Sequence, residues 1–136
     1  MSEQIASRTV LVYSDDPKVR EHTRLVIGQR PAAAVQVSFV EAATAREVVT
    51  RTGQGGIDLV VLDGEAAPAG GLGLARQLKD EVPGCPPTLV AIARSADRWL
   101  AAYAGADATL TRPLDPVRTA RTVVELLRQS QERPAS

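Results

Sequence analysis

The chain has 136 residues, 44% of them apolar, and a formal net charge of zero. That length supports one domain around one core, and the neutral balance excludes a chain-wide field for holding nucleic acid or an anionic membrane. Cys85 is the only cysteine, so an internal disulfide is excluded as well. No signal segment opens the sequence, and no apolar run approaches the roughly 20 residues that span a bilayer. A cytoplasmic location without membrane insertion is expected. Cations are almost all arginine, with Lys18 and Lys79 the exceptions, and alanine is abundant; this reads as the codon bias of a GC-rich genome.

Residues 1–7 lack a core-facing pattern and are expected to be frayed. An apolar run at 9–13 reads as a first strand. Asp16-Pro17 follows as an N-cap with proline in the first helical position, and Val19, Thr23, Val26 and Ile27 then fall on one helical face. The lone His22 on this helix has no second candidate ligand at metal spacing and reads as structural, near the core edge. Residues 35–40 form a second strand-length run. Thr44 and Glu47 have capping-box spacing, with Ala45, Val48, Val49 and Thr52 as the buried stripe and Gly53 as a stop.

The run at 57–62 ends in Asp63, and a Gly64-Glu65-Ala66-Ala67-Pro68-Ala69-Gly70-Gly71 loop leads into a third stripe of Leu72, Ala75, Leu78 and Val82. An acid at the carboxyl end of a buried strand is held by a rigid element yet faces the crevice where open parallel sheets bind ligands. Pro83-Gly84-Cys85-Pro86-Pro87 is a stiff connection whose cysteine lacks a partner residue at motif spacing and reads as inert. Residues 88–93 form a fourth strand. Trp99, Leu100 and Tyr103 mark a short helix stopping at Gly105; the two aromatics, four residues apart, read first as core or edge packing, and as interface anchors where exposed. A fifth run at 108–111 precedes Asp115-Pro116, which starts a last helix with Val117, Ala120, Val124 and Leu127 inward and arginines outward. The tail from Gln129 is expected to fray. The domain therefore spans 8–129, with flexible ends at 1–7 and 130–136.

Short apolar strands alternating with helices indicate an α/β fold with a parallel sheet covered on both faces. In detail the chain resembles the receiver domain of two-component response regulators. The resemblance rests on Thr9-Val-Leu-Val-Tyr-Ser-Asp-Asp-Pro17, Asp58-Leu-Val-Val-Leu-Asp63 followed by Gly71-Leu72, and Gly105-Ala-Asp-Ala-Thr-Leu-Thr-Arg-Pro113. It implies a doubly wound, flavodoxin-like (βα)5 sheet of order 2-1-3-4-5. It also implies a phosphoacceptor at Asp63, fed by a histidine kinase through a magnesium ion on an acidic pair, and an output face of fourth helix, fifth strand and fifth helix. A peptide bond before Pro113 that is cis would also match the family.

Several positions depart from that pattern. If Pro17 is aligned with the family's proline, Ser14 takes the first acidic position and Asp15 the second; a shift by one residue restores the pair as Asp15 and Asp16. Asp15, Asp63 and Glu65 leave weak magnesium binding open in either register. Ala93 replaces the hydroxyl that bonds the phosphoryl group, and a methyl can neither donate nor accept. Arg112 replaces the lysine, keeping charge but changing geometry, and can pair with Asp63 or Asp15 in place of a metal. Thr109 replaces the aromatic switch, and the shortened span from Ala93 to Gly105 trims the fourth helix.

The resulting expectation is a stand-alone, degenerate receiver that is not an enzyme, requires no cofactor, and docks on a protein partner through Arg98, Trp99, Tyr103, Arg118 and Arg121. An accessory subunit of a larger assembly, a respiratory complex being one candidate, fits that role by resemblance. The alternative is a phosphorylatable receiver relaying through Asp63 with magnesium. Blander readings are a leftover acid at Asp63, capping roles for Asp15 and Asp16, and a solvated arginine face that includes Arg94 and Arg128. A flavin enzyme is the remote alternative; it needs a glycine- or hydroxyl-rich phosphate loop where this chain has Ser14-Asp15-Asp16-Pro17.

Overall fold

The structure, a computed structural model, describes residues 5–67 and 69–132. Five parallel strands, β1 (Ala6–Tyr13), β2 (Val35–Ala42), β3 (Leu59–Asp63), β4 (Thr88–Ile92) and β5 (Ala108–Thr111), lie in the order β2-β1-β3-β4-β5. The helices are α1 (Pro17–Ile27), α2 (Ala45–Gly53), α3 (Gly71–Glu81), α4 (Arg98–Tyr103) and α5 (Pro116–Glu132), with one 3-10 turn at Ser95–Asp97. The expected doubly wound architecture and strand order are those observed.

Two cores explain why the strands tolerate apolar residues at every position. Val10, Val12, Leu59, Val61 and Leu89 face Ile27 of α1 and Val123, Leu126 and Leu127 of α5. Leu11, Tyr13, Val60, Leu62 and Val90 face Val48 of α2 and Leu74, Ala75 and Leu78 of α3. Neighbouring residues along a strand point to opposite faces, so a sheet covered on both sides buries a continuous run. The amino ends of the strands are tied by carboxylates: Asp58 accepts from the Thr9 amide at 2.8 Å, and Asp107 accepts from the Thr88 amide at 2.8 Å while pairing with Lys79 at 3.0 Å.

Local capping follows the sequence. Asp16 accepts from the Lys18 amide at 2.9 Å with Pro17 opening α1, and Thr44 accepts from the Glu47 amide at 3.1 Å. The Arg112–Pro113 bond is cis.

Other expectations are corrected. Ala6 and Ser7 are not frayed: they pair with Val35 and Gln36, and the Ala6 amide donates to the Ala34 carbonyl at 2.8 Å. At the other end α5 continues to Glu132, since nothing from Gln129 onward breaks a helix until Pro134. Residues 1–4 and 133–136 of the two segments expected to be flexible, and Pro68 of the loop after Asp63, lie outside the described residues.

The strands also shift at their ends: β2 runs on to Ala42, β3 starts at Leu59, and β4 stops at Ile92, leaving Ala93 exposed beyond the sheet. The buried face of α5 is Thr119, Val123, Leu126 and Leu127, while Val117 stands exposed. Asp115 caps the helix start, accepting from the Arg118 amide at 2.7 Å, and packing of Val123, Leu126 and Leu127 on the sheet sets the buried face. On α3, Leu74 is buried and Leu72 only partly so, and His22 is exposed on α1. Trp99 and Tyr103 do not pack in the core. The single buried residue of six-residue α4 is Ala101, and this phase turns both aromatics outward.

Candidate functional site

Asp63 ends β3 in register with Ala91 of β4, at the carboxyl edge of the sheet. The chain leaves the strand through a close turn. The Gly64 amide donates to the Ala91 carbonyl at 2.8 Å, and a Cβ on Gly64 would lie 2.7 Å from that same oxygen. The loop returns equally tightly, because a Cβ on Gly71 would lie 2.8 Å from the Asp63 carbonyl oxygen. Glycine at both ends of the loop is therefore a steric requirement, and it brings the α3 start against the backbone of Asp63.

The Asp63 side chain is 8% exposed, a position where an ionised carboxylate needs donors. Three reach it. The Ser14 hydroxyl donates to Oδ2 at 2.8 Å, the Glu65 amide donates to Oδ1 at 2.9 Å, and an Arg112 terminal nitrogen lies 2.9 Å from Oδ1. Ser14 is wholly buried, and its Oγ also accepts from the Asp16 amide at 3.1 Å. The arginine side chain is 26% exposed, its own amide is held by the Ile92 carbonyl at 2.8 Å, and its Nε is buried without a hydrogen-bond partner. Charge-assisted contacts of this kind are short and about twice as strong as neutral ones.

Of the two registers, the fold selects the one with Ser14 beside Asp63. Asp16 turns to its capping role on α1, and Asp15 is exposed, with Oδ1 accepting from the Ala67 amide at 3.0 Å. Glu65 contributes its amide and leaves its side chain exposed. Asp15, Asp63 and Glu65 therefore do not converge on a common point, and among the described residues no group of three or more His, Cys, Asp or Glu side chains is placed to hold a metal. The donor set fits a magnesium ion poorly: Ser14 stands where the resemblance places the first acid, Asp15 is turned to the Ala67 amide, and a guanidinium sits on Asp63.

A residue missed in the sequence is Tyr13. Its ring is buried in the sheet core, and its hydroxyl donates to the Ala69 carbonyl at 2.5 Å, tying the loop after β3 back to β1. Burial raises the phenol pKa, and the charges of Asp15 and then Asp63 raise it further. A tyrosine one residue before a pocket-facing Ser-Asp-Asp is the signal that could have marked it, since the strand end places its hydroxyl at the sheet rim.

The remaining candidates are scattered. Ala93 is exposed beyond β4. Thr109 lines a shallow polar cleft with Thr122, Glu125 and Gln129. Arg98, Trp99 and Tyr103 are exposed on α4 and Arg118 on the first turn of α5, whereas Arg121 lines a different groove with Pro31, Ala32 and Arg128.

Across 129 residues the chain is 43% identical to an uncharacterized response regulatory protein of Mycobacterium tuberculosis, the match covering 94% of this chain and 97% of that protein. The same protein from a second strain matches equally. This chain belongs to the response-regulator receiver family. No protein-family model matches it. A CheY-like receiver domain protein from Methanospirillum hungatei has the same fold, with a TM-score of 0.73 at 20% identity over 93% of this chain and 98% of that one. A LuxR-family two-component response regulator from Aurantimonas superposes with a TM-score of 0.76 at 27% identity, over 91% and 87% of the two chains. The receiver has no helix, among its described residues, long and apolar enough to cross a membrane.

Proposed function

We propose that this receiver acts by docking on a protein partner in the cytoplasm without a phosphorylation switch, needing neither a metal nor a histidine kinase. The observation carrying the reading is the engagement of Asp63 by hydrogen bonds from Ser14 and the Glu65 amide and by the Arg112 ion pair. A carboxylate nucleophile must have a free lone pair aimed at the donor phosphorus, and charge on the incoming oxygens must be offset. Here two hydrogen bonds and an ion pair occupy most of the carboxylate's roughly four acceptor directions, and the offsetting charge is a tethered guanidinium. Ala93 and Thr109 remove the hydroxyl and the aromatic through which a phosphoryl group would be sensed, so modification would have no route to a second conformation.

In this reading the pocket is a fixed structural clamp, and the protein serves as a constitutive accessory subunit. Assemblies containing such a subunit, a respiratory complex being one candidate, would hold it irrespective of signalling state. The competing relay through Asp63 with magnesium needs Arg112 to leave and a cation to bind with one pocket acid missing.

Affinity capture from the source cell with wild-type and Asp63→Asn baits tests the reading. The same partner should be retained in equal yield by both, with or without a small phosphodonor. A partner retained only by phosphodonor-treated wild type would overturn it.

A further inference from the structure

Three of the six large apolar side chains that stand exposed among the described residues are on α4: Trp99, Leu100 and Tyr103. Leu100, Tyr103 and Ala104 form one wall of a groove of about 290 Å3 whose other wall is Leu72, Gly73 and Arg76 of α3. The groove lies between α3 and α4, away from the cleft that Thr109 lines beside α5. That cleft is mainly polar and carries the carboxylates Asp107 and Glu125 beside Ala108 and the buried Leu126, so it exposes no large apolar side chain.

We infer that the α3–α4 groove is the docking seat, and that it takes a short segment of a protein partner bearing a leucine-like side chain flanked by a carboxylate. The inference rests on the docking reading and specifies its surface. Leu72, Leu100 and the Tyr103 ring supply apolar contact, and exposed clustered apolar groups of this kind mark interaction sites. Arg76 is the one charged residue lining the groove. It pairs with Asp80 one turn along α3 at 3.2 Å, with both side chains more than half exposed at 61% and 60%. Asp80 engages only the Nε edge of the guanidinium in an exposed pair of a weak type, so the two terminal nitrogens face a partner carboxylate unengaged by any described residue.

Gly73 supplies an independent observation. Glycine within a helix weakens it relative to alanine, yet a Cβ at Gly73 would meet nothing within 4 Å. Nothing inside the protein requires glycine there, unlike Gly64 and Gly71. Its missing side chain deepens the groove floor, where a partner backbone or side chain would approach.

The test is selection of a displayed library of random dodecapeptides on the full chain. Each enriched peptide is then measured against Tyr103→Ala, Arg76→Glu, Gly73→Leu and Arg118→Glu variants whose folding is confirmed by circular dichroism. Enriched peptides should combine a leucine, isoleucine or phenylalanine with at least one Asp or Glu. They should bind the first three variants at least tenfold more weakly and Arg118→Glu within twofold of wild type. Peptides sensitive only to Arg118→Glu would overturn the groove while leaving docking intact. Enrichment of basic or carboxylate-free sequences, or no enrichment, would also overturn it. Failure of the parent reading shows separately, as dependence of binding of these peptides on Asp63 phosphorylation.

Discussion

Asp63 and Tyr103 sit in the same small domain under opposite conditions. The Asp63 carboxylate is 8% exposed, accepts two hydrogen bonds and pairs with Arg112, whereas Tyr103 is 81% exposed and its hydroxyl has no hydrogen-bond partner among the described residues. The strand-end pocket has used its polar groups internally, and α4 has left its apolar groups unused. In a switching receiver the pocket would be the open, reactive region. Here α4 carries the unengaged apolar surface.

Removing Arg112 should break the contrast most strongly. Arg112→Ala leaves Asp63 with two donors and no countercharge, and should lower stability by about 2 kcal/mol, less than the roughly 3–5 of a fully buried pair because the arginine is partly solvated. Urea unfolding should show a lower midpoint at unchanged slope.

Tyr13→Phe should cost about 1 kcal/mol, the net worth of one hydrogen bond, and speed amide exchange in the loop after β3. It also has a pH signature. The folded phenol has its pKa raised above the ordinary value by burial and by Asp15 and Asp63. The unfolded chain therefore loses this proton first as pH rises. The stabilisation is fully present below about pH 10 and is lost as pH climbs through the folded value. The Phe variant should show a flatter decline over that window.

The smallest effect sharpens the other side of the comparison. Trp99→Ala and Tyr103→Ala should change stability by no more than about 0.5 kcal/mol, as exposed positions do. A larger loss by thermal unfolding would mean that α4 needs its aromatics for folding, and would remove the argument that they are held for a partner.

Much of this architecture is legible in the sequence because local signals and periodicity agree. The Asp16-Pro17 and Thr44–Glu47 starts are local capping patterns, and both form as expected. Five apolar runs between helices specify a sheet covered on both faces. The position of Asp63 follows from the end of its run. What is misread depends on tertiary choice. Val117, Ala120, Val123, Val124, Leu126 and Leu127 offer α5 more than one apolar stripe, and packing against the sheet selects between them. The strand pairing of Ala6 and Ser7 depends on Val35 and Gln36 of β2, about 30 residues along the chain, and no local pattern announces it. Trp99 and Tyr103 have the spacing of a core pair, and only the short length of α4 and the burial of Ala101 turn them outward. The Arg112 pairing with Asp63 follows one of the two partners its residue type suggests, whereas the Ser14 hydrogen bond and the Tyr13 tie to Ala69 require the folded loop.

The most direct test of the closed pocket is intact-mass measurement after incubation with a small phosphodonor and magnesium, alongside Asp63→Asn. The account predicts no phosphoryl adduct on either folded protein. An adduct on wild type that is lost in the Asn variant would contradict it, because Asp63 would then be an accessible nucleophile despite Arg112 and Ser14.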